Sequence, residues 1–146
     1  MSDLGSTTNS EKILKLLLRF LGTTSLFALV FVVAPYSWLD SIHSLLGMGQ
    51  LPDKPVVGYL ARSTSALYAI LGGLFWTVSF DLERHRLVLR YLGAAITLFG
   101  AALLVIDWSE GLPFLWKVWE GPFLMALGLA IFSLNRLIKT SESASS

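Results

Sequence analysis

The 146-residue chain contains no cysteine. That absence excludes disulfides, thiolate metal sites, iron–sulfur clusters and cysteine nucleophiles together. Charge is also scarce, at 14% of residues against the roughly 25% of a soluble domain. Eleven Lys and Arg balance ten Asp and Glu to leave a net charge of +1, so no global field draws nucleic acid or an acidic substrate to the protein. The two histidines, His43 and His85, fall in separate loops on opposite faces and cannot share a metal. Phosphate-cradling loops are missing, because Gly72-Gly73 lies inside an apolar run with no strand before it and no lysine at the required spacing after it. Neither Gly-x-Ser-x-Gly nor His-Glu-x-x-His occurs. No catalytic residue or metal ligand can be named, and an enzyme is the weaker reading.

What the chain has in abundance is apolar length. Hydrophobic residues make up 54% of it and the mean hydropathy is +0.66. They gather in four blocks, residues 13–34, 56–80, 87–106 and 113–138. A bilayer core of about 30 Å needs about 20 helical residues, and each block reaches that length. A soluble bundle would need a polar stripe along each helix, and Leu67 to Phe75 and Phe99 to Ile106 carry none. The expected fold is therefore all-α, an integral membrane bundle of four transmembrane helices over residues 13–139. Residues 1–12 and 140–146, rich in Ser and Thr, read as disordered tails, the first ending in a Thr8/Glu11 capping box. The cationic, then apolar, start resembles a signal peptide, but it lacks an Ala-x-Ala site and reads as a retained helix.

Orientation follows from the basic residues. Lys12, Lys15, Arg19, Arg84, Arg86, Arg90, Arg136 and Lys139 fall on one side, and Lys54, Arg62 and Lys117 on the other. Eight against three puts both termini and the 81–86 hairpin in the cytoplasm. Tyr36, Trp38, Tyr59, Trp108, Trp116 and Trp119 then mark the outer interface, and Trp76 and Tyr91 the inner one. In the first outer loop Ser37 with Asp40 reads as a helix start. Trp38, Leu39, Ile42, Leu45 and Leu46 recur at helical spacing until Gly47 and Gly49. Either a short interfacial helix or a capped re-entry turn accounts for them.

Small residues predict how the helices meet. Ala61, Ser65, Ala69, Gly72 and Gly73 form such a face on the second span, Gly93, Thr97, Gly100 and Ala101 on the third, and Ala126, Ala130 and Ser133 on the fourth. The same faces allow homo- or hetero-oligomers. Pro122 either opens the true fourth span or kinks one long helix.

Charge near the membrane is where function is to be sought. Arg62 lies six residues, or about 9 Å, into the second block, on its small-residue side. Asp107 ends the third block and Glu120 starts the fourth in the same leaflet. An Arg62, Asp107 and Glu120 cluster is therefore expected at the outer end, with Ser65 and Tyr68 beside it and Trp108, Trp116 and Trp119 closing it off. Such a cluster either locks helix ends together or marks a ligand site. The scattered mild polar residues elsewhere make no transport pathway.

The run Tyr59-Leu60-Ala61-Arg62, then Ser65-Ala66-Leu67-Tyr68, Gly72-Gly73, a charged hairpin, Ile106-Asp107 and Glu120-Gly121-Pro122 resembles small uncharacterised four-helix membrane proteins of bacteria. More distantly it is similar to the DoxX-like group. That resemblance, over residues 35–138, implies an arginine early in helix two acting with an acid in a later helix, and a link to quinone. The expectation is a multi-pass protein of the bacterial inner membrane, a non-enzymatic structural or accessory component without a cofactor. The alternative is a binder of quinone or another lipid-like ligand at the Arg62 cluster.

Overall fold

A computed structural model describes residues 9–138. Among these residues every regular element is a helix: α1 (Asn9–Leu26), α2 (Leu29–Val33), α3 (Tyr36–Leu45), α4 (Pro55–Phe80), α5 (Arg86–Ser109) and α6 (Phe114–Leu137). Four stretches, 9–33, 55–80, 86–109 and 114–137, are long and apolar enough to cross a membrane. These are the four expected spans, shifted by a few residues. Helix α1 starts at Asn9, four residues before the expected 13, so residues 9–12 are helical rather than tail. Thr8, half of the expected capping box, and residues 139–146 lie outside the described residues.

The first apolar stretch is broken where no proline stands. Ala28, Val30 and Phe31 donate three residues back, to Ser25, Phe27 and Ala28, which tightens the backbone between α1 and α2. Thr23, Thr24 and Ser25 precede the break, and their hydroxyls compete with helical bonding. Ala34 is then held extended, with ψ of 144°, because Pro35 follows it.

The described residues divide into two compact units, 20–76 and 9–19 with 77–138. In the 20–76 unit, α1 and α4 meet backbone to backbone. A Cβ on Gly72 would lie 2.7 Å from the Gly22 carbonyl oxygen, so only glycine permits this approach. The Trp76 indole donates to Thr23 Oγ1 at 3.3 Å beside it. Of the two expected readings of this loop, a short helix is present as α3. It ends in a Schellman motif in which Met48 N–H donates to His43 O and Gly47 N–H to Ser44 O, with Gly47 at a φ of 80°. Trp38, Ile42, Leu45 and Leu46 are all exposed along it.

The expected cap is corrected. Helix α3 starts at Tyr36 behind Pro35, so Ser37 is already helical and its carbonyl accepts from Ser41 Oγ at 2.8 Å. Asp40 instead accepts from the Leu51 N–H at 2.6 Å. His43 Nδ1 and Ser44 Oγ bond Gly49 O at 2.9 and 3.0 Å, and the Tyr36 hydroxyl donates to Pro52 O at 2.5 Å. The loop after α3 is thus folded back on its helix. Burial and the carboxylates of Asp53 and Asp40 push the Tyr36 phenol above its ordinary 10.0.

In the other unit α5 and α6 pack along their length. A Cβ on Gly100 would stand 2.7 Å from Gly121 O and 2.7 Å from Met125 N, and one on Gly93 would stand 2.9 Å from Gly128 O. The α5 face is the expected one, but the facing residues on α6 are Gly121 and Gly128. Ala126 and Ser133 are exposed, because the true contact stripe lies on another side of the helix. Helix α6 runs unbroken through Pro122, which deprives Val118 O of its usual donor. Leu89 and Ile131 are wholly buried in this unit.

Candidate functional site

The stop of α5 positions Asp107. Gly111, at a φ of 69°, turns the chain so that Leu112 N–H donates back to the Asp107 carbonyl at 3.1 Å. Pro113 then directs the chain into α6. The side chain of Asp107 is only 1% exposed, and its Oδ2 has no hydrogen-bond partner among the described residues. A buried carboxylate oxygen without a partner is costly, which sets Asp107 apart from an ordinary helix-end residue.

Glu120 is half-buried on the facing helix. It directly precedes Gly121, where an added Cβ would come within 3.0 Å of Leu104 Cβ. Leu104 is one turn before Asp107, so the two carboxylates share the same end of the hairpin. Of the three tryptophans expected around the cluster, two lie at the surface. Trp108 is 61% and Trp119 68% exposed. Lys117 Nζ stands 5.0 Å over the Trp108 ring, and Trp119 stacks on Phe123 at 5.6 Å. Trp116 alone of the three is half-buried.

Arg62, Ser65 and Tyr68 belong to the 20–76 unit. Arg62 is half-buried and its Nη2 donates to Ala34 O at 3.1 Å, one residue past the end of α2. A cation at a helix C-terminus satisfies a carbonyl that the helix leaves free. Ser65 Oγ donates to Ala61 O at 2.8 Å, an internal α4 contact, and Tyr68 is exposed.

The opposite end of the α5–α6 hairpin holds a pair missed in the sequence. Asn135 is wholly buried; its Nδ2 donates to Arg86 O at 3.1 Å, and Arg86 Nη2 reaches back to Asn135 O at 3.5 Å. Asn135 Oδ1 and Arg86 Nε are buried without partners among the described residues. A lone amide within the apolar run 130–138 was the available signal. No protein-family model, curated protein or solved structure matches the chain.

Proposed function

We propose that the chain is a multi-pass protein of a bacterial inner membrane, both termini cytoplasmic, acting as a non-enzymatic structural or accessory component. One observation carries this reading: α5 and α6 touch backbone to backbone at Gly100 and Gly121, which leaves no space for a substrate along their contact. The eight-to-three division of basic residues supports the orientation. The apolar side chains exposed on every long helix, among them Leu16, Ile70, Leu98 and Leu115, support contact with lipid.

The unpartnered Oδ2 of buried Asp107 favours a second reading, a site for quinone or another lipid-like molecule at the Asp107 and Glu120 end. Affinity purification in mild detergent separates the two. The accessory reading expects a stoichiometric protein partner that Asp107→Asn leaves in place. Isolation of the chain alone with a bound quinone that Asp107→Asn removes would overturn it.

A further inference from the structure

We propose that the end of the hairpin where α5 begins and α6 finishes binds the phosphate headgroup of an anionic glycerophospholipid. Arg86 lies at its centre, with Arg84, Arg90 and Arg136 around it. The inference rests on the membrane reading above.

A helix start carries a partial positive charge, ordinarily offset by an acidic side chain in the first turn or by a side-chain cap. Helix α5 has neither: its first turn contains no acid and His85 makes no side-chain cap. Arg86 is its first residue, Arg84 lies in the turn before and Arg90 one turn on. Cations therefore stand where the backbone already favours an anion, and a phosphate relieves both at once. Over residues 9–19, 77–95 and 130–138 there are seven Lys and Arg against three Asp and Glu. Among those acids Asp81 is engaged locally, its Oδ1 accepting from Arg84 N–H at 3.0 Å.

The Asn135 contacts hold Arg86 against the last turns of α6, with its Nε shut from solvent and unpartnered while the side chain stays half-exposed. An arginine already ordered by the protein gives up less freedom when its planar fork meets a phosphate. Arg136 lies in the last turn of α6, its guanidinium 5.2 Å over the Phe132 ring. The neighbours of these cations distinguish a lipid from free phosphate. Leu87, Tyr91 and Leu137 are 78%, 70% and 62% exposed, an apolar surface continuous with the charge that acyl chains cover and an inorganic ion leaves bare.

The test uses the full chain in nanodiscs of phosphatidylcholine mixed with phosphatidylglycerol, reading by native mass spectrometry which lipid stays bound. The wild type is expected to retain phosphatidylglycerol preferentially. At about 1 kcal/mol per basic residue, Arg90→Gln should lower that preference about fivefold, and Arg86→Gln with Arg90→Gln further. Lys54→Gln, on the outer loop, should leave it unchanged. Arg90 is exposed, so its variant keeps the test decisive if the double variant fails to fold. Equal retention of both lipids, equal losses from Arg90→Gln and Lys54→Gln, or full displacement by inorganic phosphate would overturn the site. A chain that does not enter nanodiscs would overturn the membrane reading with it.

Discussion

The two ends of the α5–α6 hairpin are built from the same elements and both bury polar atoms without partners, but among the described residues only one of them joins the helices through side-chain hydrogen bonds. Where α5 begins, Arg86 and Asn135 exchange side-chain-to-backbone hydrogen bonds across the helices. Where α5 ends, Asp107 is buried to the same degree, yet its Oδ2 meets no partner among the described residues. The first arrangement fixes how the helices meet. The second carries the cost of a buried unpartnered oxygen, with no such bond across the helices among the described residues to offset it. Between the ends, glycine contacts set the register that both depend on.

The largest effect should come from that register. Adding a valine side chain at Gly100 or Gly121 drives carbon into facing backbone and should cost about 3 kcal/mol, the upper range for overpacking, in denaturant unfolding followed by circular dichroism. Gly73 is the control, since a Cβ there meets nothing within 4 Å. Gly73→Ala should stabilise by about 0.5 to 1 kcal/mol through helix propensity. If Gly100→Val were as mild as Gly73→Ala, the contact would not hold the hairpin.

The comparison of the ends is sharpened by Asn135→Leu against Asp107→Leu. The first removes the buried hydrogen bond from Asn135 Nδ2 to Arg86 O, a loss of about 0.5 to 1.5 kcal/mol. The second removes a buried, unpartnered carboxylate oxygen and should leave stability unchanged or raise it by about 1 kcal/mol or more. Equal losses would mean that Asp107 is as much a packing element as Asn135.

These differences indicate how far the sequence was readable. The four spans follow from apolar length alone, and the stop of α3 from Gly47, because chain chemistry decides both locally. Ala126 and Ser133, part of the small-residue face expected on α6, are exposed, since small residues occur on several sides of that helix and only the partner selects one. Asn135 was overlooked because its partner, Arg86, lies 49 residues away and the pairing exists only once Gly100 and Gly121 have set the register. Ser37 has the spacing of a cap, but Pro35 takes that position two residues earlier.

The smallest effect lies in the loop after α3. The Tyr36 phenol is pushed above 10.0 by burial, Asp53 and Asp40, so the folded loop holds its proton where the unfolded chain has released it. Stability from this group is present below pH 10 and falls as pH rises past it, with the phenol's bond to Pro52 O lost on ionisation. Amide exchange at Leu51 should accelerate above about pH 10 in the wild type and show no such step in Tyr36→Phe.

The central claim is that four helices cross the membrane with the Arg86 end of the hairpin inside. The cysteine-free sequence permits a direct measurement. Single substitutions Gln50→Cys, Glu110→Cys and Glu83→Cys are each exposed to a membrane-impermeant maleimide in intact cells and again after permeabilisation. The account predicts that Gln50→Cys and Glu110→Cys react in intact cells and Glu83→Cys only once the membrane is opened. Labelling of Glu83→Cys in intact cells, with Gln50→Cys and Glu110→Cys protected, would reverse the orientation, and equal labelling of all three would contradict the spans themselves.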